Sequence, residues 1–270
     1  IRSLMYSKSR LAVKWVRYYF HAFNSRGHGI HSPFVYDFIT SVLNDTRNYY
    51  AYENIEKLRK MFLRDDRIIQ YTDLGAGSGK GEERSKKLSE IAGNAVSTEK
   101  FGRLLFRLAN YYPSEIIIEL GSSLGISTAY LASANDASKV TTIEGSYPIG
   151  EIAKETFEKL KLKNIQLMNG NFDEVLKKVI DSNPPADLIY IDGNHRKKAV
   201  LDYFEIFLNK VSPSSLIIIH DIHWSTEMEE AWSIIQSHPK VKMSIDIFSA
   251  GLVFFRDEFQ VKQKFMVRFN

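Results

Sequence analysis

From Glu115 onward, short apolar-rich runs alternate with amphipathic stretches, and this rhythm constrains the fold more than any other feature of the chain. The runs are Ile116 to Leu120, Val140 to Ile143, Ile165 to Met168, Leu188 to Ile191 and Leu216 to Ile219. Each has strand length and the continuous hydrophobicity of a strand buried on both faces. Between them lie residues 127–133, 149–160, 172–180 and 195–208, credible crossover helices. Parallel neighbours need crossovers of this kind, so the pattern predicts a parallel sheet covered by helices on both faces. Near the end, Met243 to Phe248 and Leu252 to Arg256 are joined across Ser249-Ala250-Gly251, which reads as an antiparallel hairpin.

The first third lacks this rhythm. Ser32-Pro33 is an N-cap followed by a proline suited to the first helical position, and Phe34, Phe38, Ile39 and Val42 then recur at helical spacing. The expected organisation is an N-terminal helical accessory segment over residues 1–95 and one α/β domain over residues 96–270. A chain of 270 residues, 44% of them hydrophobic, can bury the core that such a domain needs. Its formal net charge of +4 comes from 36 basic and 32 acidic residues with no long block of one sign, too mild a bias to argue for nucleic acid. Without cysteine there is no disulfide, thiolate zinc site or thiol nucleophile, which sits comfortably with the cytoplasm. No apolar run approaches the roughly 20 residues of a membrane-spanning helix, so no membrane span is expected. Leu4 to Phe23 mixes Lys8, Arg10, Lys14 and Arg17 with Trp15, Tyr18, Tyr19 and Phe20. Such a helix can lie on a membrane surface, but packing on the domain or on a partner subunit, as in a homodimer, is preferred. Lys14 and Arg17 interrupt it too early for a signal peptide.

Two glycine-rich segments compete as the ligand loop: Asp73-Leu74-Gly75-Ala76-Gly77-Ser78-Gly79 and Glu119-Leu120-Gly121-Ser122-Ser123-Leu124-Gly125. Such a loop works because glycines let the backbone approach the ligand, a helix N-terminus faces it, and an acid about 20 residues on holds ribose hydroxyls. Only the second has that sequel: a helix over 127–133, a strand from Lys139 to Ile143, and Glu144 at the strand's end. After Gly79 come Lys80, Glu82, Glu83, Arg84, Lys86 and Lys87, read as a solvated helix face, and no strand with a terminal acid follows before Glu115. The first loop is therefore taken as an accessory turn. The alternative for the second is a tight strand-to-helix turn with no ligand.

At this point Thr98 to Ile222 resembles the small-molecule O-methyltransferases related to catechol O-methyltransferase. It is more similar still to the bacterial S-adenosylmethionine (SAM)-dependent methyltransferases whose fourth strand ends in Ile-Asp-Gly-(Asp/Asn)-His. Five ordered motifs carry the resemblance: Ile117-Ile118-Glu119-Leu120-Gly121-Ser122, Thr142-Ile143-Glu144, Asn169-Gly170-Asn171-Phe172, Asp187 through His195, and Ser212-Pro213-Ser214-Ser215-Leu216 leading to His220-Asp221-Ile222. It implies a class I, Rossmann-like methyltransferase fold: a seven-stranded, mostly parallel sheet with a C-terminal antiparallel hairpin. It also implies SAM as cofactor, with Gly121, Ser122 and the Gly125 turn along the methionine part and Ser127 near its carboxylate. Glu144 would bind the ribose hydroxyls, and Asn171 and Phe172 fall where the family contacts adenine; Glu119, Ser123, Gly145 and Asp192 complete the expected cofactor contacts. For Phe172 a core role at a helix start is nearly as good. The lead-in Ser97 to Gly102 resembles the family's entry segment, and is equally well an ordinary helix start capped by Ser97 or Thr98.

Ligands of open α/β sheets bind beyond the carboxyl ends of the strands, which brings in Asp192, Asn194, His195, His220, Asp221 and His223. Methyl transfer from a sulfonium is an in-line displacement whose main needs are alignment and removal of the nucleophile's proton. His195 is the candidate base, with Asp192 beside it: an imidazole accepts a proton near neutral pH, and His195 stands where catechol-type enzymes carry a catalytic lysine. A histidine capping the next helix is the alternative. Asp192, Asp221 and either His220 or His223 are candidate ligands for a divalent cation such as Mg2+. Here the chain departs from the family, because Ile222 rather than asparagine follows Asp221 and His220 precedes it where an acid is usual. A hydrogen-bonded Asp-His cluster that only orients substrate is the other reading. His28 and His31 are candidates for a lid or a plain loop, and Trp224 for an acceptor-stacking or rim residue.

A nucleic-acid N-methyltransferase would place an Asn/Asp-Pro-Pro-aromatic motif after its fourth strand; Asn183-Pro184-Pro185-Ala186 precedes that strand and lacks the aromatic. A nicotinamide dehydrogenase is disfavoured because residues 119–125 lack Gly-x-Gly-x-x-Gly spacing. A SAM-binding module without turnover is the third reading. The expected activity is SAM-dependent methylation of an oxygen on a small-molecule acceptor whose identity no motif reveals.

Overall fold

Residues 5–23, 32–73, 82–95 and 97–269 are described by a computed structural model. They fall into two units: Thr46–Pro184, and the described residues up to Asp45 together with those from Pro185 on. Helix α1 (Lys8–His21) begins at Ser7, whose side chain accepts from the Arg10 amide. In α2 (Pro33–Phe38) Ser32 accepts from Val35 N, with proline in the first turn as expected, and a π-helical turn over Ile39–Leu43 follows.

The Thr46–Pro184 unit opens with α3 (Tyr50–Phe62), β1 (Ile68–Asp73), β2 (Glu82–Lys87) and α4 (Leu88–Ala95). Residues 82–87, read from sequence as a helix face, are instead the second strand of a hairpin antiparallel to β1. Their charges masked a period of two that pairs Arg84 with Tyr71 and Lys86 with Ile69. Leu74 to Gly79, the rejected loop, lies outside the described residues. Next come α5 (Glu99–Tyr111), β3 (Ile116–Leu120), α6 (Ile126–Ala132), β4 (Lys139–Glu144), α7 (Tyr147–Lys159), β5 (Ile165–Asn169) and α8 (Phe172–Ser182). Strands β3, β4 and β5 are parallel and in that order. Ile117, Ile118, Leu120, Val140 and Ile143 are buried in them, each worth about 1.5–3 kcal/mol relative to exposure. Thr98 is the N-cap of α5, and Gly102 lets that helix approach α6, since a Cβ there would stand 2.3 Å from the Tyr130 ring.

The other unit continues with β6 (Leu188–Ile191), α9 (Lys197–Phe207), β7 (Leu216–His220), α10 (Thr226–Ser237), β8 (Met243–Asp246), β9 (Ala250–Phe254) and β10 (Gln263–Met266). Its strands run in the order β10-β8-β9-β7-β6, with β6 and β7 parallel and β9 antiparallel to both β7 and β8. The expected terminal hairpin is therefore β8-β9. Strand β10, parallel to β8, was not anticipated. It makes eight strands in these two sets against the seven expected; a four-residue strand with two charged or amide side chains carries little periodic signal. Asn183 caps α8, its Nδ2 donating to the Val179 carbonyl, and Asn183 to Ala186 is the connection into β6 rather than a base-gripping motif.

Candidate active site

In the Thr46–Pro184 unit, the chain leaves β3 through a loop that only permissive residues can follow. Gly121, Ser123 and Gly125 have φ of 96°, 46° and 80°, and a Cβ at Gly125 would come within 2.7 Å of the Phe157 ring. Gly125 N donates to the Ser122 carbonyl, closing a turn immediately before α6, whose first amides have no partner within the helix. From the end of the adjacent β4, Glu144 reaches this loop. Its Oε2 accepts from Ser123 N at 2.9 Å and its Oε1 from Ser146 N at 2.9 Å, with a further bond from the Gly145 amide. Burial nevertheless dominates and pushes the Glu144 carboxyl up to about 7.

Three buried polar atoms in the segments that follow or close these strands have no hydrogen-bond partner: Ser122 Oγ, Ser146 Oγ and Asn169 Oδ1, the last packed against Gly150. They stand at the carboxyl ends of β3, β4 and β5, and Asn169 is the register partner of Glu144. Ser146 is not among the residues singled out in the sequence, and Asn169 stands there only as the first residue of a motif, with no role of its own. The β-register was the signal, because an acid at the end of one parallel strand has the last residue of the next beside it. Ser127 is buried in the first turn of α6. Glu119 requires a correction as a direct cofactor contact: its side chain is 0% exposed and accepts from Thr128 Oγ1 at 2.5 Å and Thr142 Oγ1 at 2.6 Å, which makes it a support beneath the loop. Asn171 is exposed and caps α8 through the Asp173 amide, with Phe172 half-buried at the helix start.

In the other unit, Asp192 follows β6 and His220 closes β7. His220 Nδ1 lies 3.0 Å from Asp192 Oδ1 and 3.6 Å from Asp221 Oδ1, while His195 Nε2 lies 3.7 Å from Asp192 Oδ1. Tyr190 donates to Asp192 Oδ2 at 2.7 Å; two residues before Asp192, it shares that residue's side of the strand, a signal available in the sequence. Burial disfavours the charge on both partners, yet their proximity wins. Asp192 is held down to about 2 by His220, with His195 and Tyr190 assisting, and His220 is held up to about 9 by Asp192 and Asp221. The pair is an imidazolium-carboxylate pair at neutral pH, with side chains only 18% and 19% exposed.

His195 is not the N-cap of α9, a position held by Arg196. Asn194 and Asp221 turn the chain with φ of 49° and 56°. The turn at Asp221, whose amide donates to the Ser249 carbonyl, carries His223 away from Asp192. His223 Nδ1 faces Glu229 at 3.0 Å and Nε2 faces Asp246 at 2.9 Å, so neither ring nitrogen is open to a metal. Among the described residues no three His, Asp or Glu side chains are arranged to hold a metal ion. Trp224 is partly exposed beyond Asp221. His28 and His31 lie outside the described residues.

Residues 118–222 match the family described as a methyltransferase domain. The chain is 25% identical over 142 residues to a catechol O-methyltransferase from Niastella koreensis, an alignment covering 51% of this chain and 63% of that protein. It is 29% identical over 127 residues to the uncharacterized protein y4gI of Sinorhizobium fredii, covering 42% of this chain and 13% of that one. The chain thus spans less than two thirds of the length of either curated relative. Among solved structures, the SAH-bound Podospora anserina methyltransferase PaMTH1 superposes with a TM-score of 0.58 at 15% identity, over 84% of this chain and 97% of that one. The fold is Rossmann-like, with the mostly parallel sheet expected of it.

Proposed function

We propose, for a chain whose residues 118–222 match the methyltransferase-domain family and whose fold is that of class I methyltransferases, that it transfers a methyl group from SAM to an oxygen of a small molecule. The observation that carries this reading is the Glu144 carboxylate at the end of β4, clasped to the Gly121–Gly125 turn, with the buried hydroxyls of Ser122 and Ser146 in the same two segments lacking partners. A nucleoside ligand such as SAM would supply ribose hydroxyls that donate to Glu144 and hydrogen-bond partners for the Ser122 and Ser146 hydroxyls. The Glu144 oxygens accept three amide bonds between them, from Ser123, Ser146 and Gly145, which leaves lone-pair capacity for a hydroxyl. Bound SAM would supply an electrophilic methyl on a sulfonium. The named proteins among the relatives, a catechol O-methyltransferase and an SAH-bound methyltransferase, support the cofactor and an oxygen acceptor.

In this reading the tasks of the chain are to orient the acceptor and to take its proton. His195 is the base, and Asp192 lies close enough to stabilise the imidazolium that forms. His220, already cationic against Asp192, provides a fixed positive charge toward which an acceptor oxygen can develop its negative charge. Asp192 and Asp221 are the carboxylates that would ligate a divalent cation, and His220 Nδ1 lies 3.0 Å and 3.6 Å from their oxygens. Calorimetric titration with SAM tests the core of the proposal. Glu144→Ala should weaken binding by at least about tenfold, equivalent to about 1.4 kcal/mol for the lost charge-assisted bonds. Unchanged affinity in a folded Glu144 variant removes the site.

A further inference from the structure

Helix α1 turns one face inward. Tyr18 donates to the backbone carbonyls of Val267 and Asp246, Lys14 pairs with Glu229 at 2.8 Å, and Leu11 is half-buried on the same side. With about 3.6 residues per turn, the opposite side is formed by Ala12, Val13, Val16 and Phe20, bordered by Trp15 and Tyr19. The solvent face of a helix is normally polar, yet Val13 is 69%, Val16 47%, Phe20 74% and Trp15 46% exposed. The aromatic side chains form a strip: Trp15 stacks on Tyr19 with ring centroids 5.3 Å apart, and Tyr19 meets Phe20 edge-on at 6.1 Å. No described residue covers this face.

Its charge has one sign. The helix contains Lys8, Arg10, Lys14 and Arg17 and not one acidic residue. Only Lys14 is in an ion pair among the described residues; Arg10 instead lies over the Tyr6 ring at 4.3 Å. Arg268 adds a further cation, its guanidinium 4.1 Å from the Tyr19 ring centroid. A two-fold contact with a second copy would set this patch against itself and bring Arg10 and Arg17 of both chains together, which like-charge repulsion opposes. A surface of opposite charge with an apolar layer beneath it satisfies both features at once. We infer that the outward face of α1 docks on an anionic phospholipid bilayer, with Val13, Val16 and Phe20 entering the headgroup boundary and Lys8, Arg10 and Arg17 meeting lipid phosphates. The helix has 14 residues and lies in the surface plane, since no described helix is long and apolar enough to cross a membrane.

The test is co-sedimentation of the full chain with vesicles of phosphatidylcholine alone and of phosphatidylcholine mixed with phosphatidylglycerol. Pelleting with the mixed vesicles should exceed that with the neutral ones by about tenfold and fall as salt rises. The double variant Val16→Glu, Phe20→Glu should lose about tenfold in partition while keeping the wild-type far-UV spectrum and melting temperature, because both side chains are exposed. If that variant unfolds, Trp15 quenching by brominated phosphatidylglycerol in the wild-type protein decides instead, with Trp15→Phe as the control. Equal binding to both vesicle types, or no binding to either, overturns the inference. So does a self-associated protein that Phe20→Glu converts to monomer without any vesicle binding. Methyl transfer stands or falls separately, by SAM titration of Glu144→Ala.

Discussion

Glu144 concentrates the conflict on which the site depends. Burial opposes its charge strongly enough to raise its pKa to about 7, although the amides of Ser146, Ser123 and Gly145 all stabilise the anion. Hydroxyl donors from a ribose need that anion as acceptor, so SAM affinity should rise between pH 6 and pH 8 with an inflection near neutrality. Isothermal titration across that range checks it; a flat profile for the wild-type protein would contradict the assignment. The proposed mechanism gives His195, whose ring lies 3.7 Å from Asp192, a different duty as the base that takes the acceptor's proton. His195→Ala should leave SAM affinity unchanged and lower kcat by about 10²-fold, the usual yield of general-base catalysis. Rapid-quench measurement of a single turnover separates this from slow product release.

At the scale of elements, the β3-to-α6 turn shows what makes a glycine-rich segment a candidate site. What matters is the partner: β4 runs parallel to β3 and ends at Glu144 beside the turn that follows β3, whereas β2 is antiparallel to β1 and its end at Lys87 pairs with Ile68, where β1 starts. The turn is also the least replaceable piece of backbone, because Gly125 combines a left-handed conformation with contact against Phe157. Gly125→Ala should therefore cost about 2 kcal/mol or more in urea unfolding and weaken SAM binding in the same variant. A substitution that is silent in both measurements would show that the loop relaxes freely.

For the molecule as a whole, the buried charges set how stability depends on pH in the absence of ligand. Glu144 is raised from 4.5 to about 7, so the folded chain holds a proton that the unfolded chain gives up, and stability falls as pH rises through that interval. His220 is raised from 6.5 to about 9, contributing fully below 6.5 and fading as pH climbs toward 9. Asp192 is lowered from 3.8 to about 2, so its contribution is present above 3.8 and lost as pH drops to 2. The three together place the highest melting temperature near pH 4 to 5, with a decline toward pH 9; calorimetric scans at successive pH values test this, and a melting temperature that climbs to pH 8 contradicts it. The βα rhythm, the hairpin near the end and the acid closing β4 were all legible in the sequence, because periodicity and strand-end position are properties of neighbouring residues. Tertiary structure alone decided that residues 82–87 are a strand, that Glu119 is a buried support, that His223 is bound by Glu229 and Asp246 rather than standing beside Asp192, and that α1 leaves an apolar face uncovered. Each of those outcomes depends on which distant side chain fills the neighbouring space, and local pattern carries no information about that.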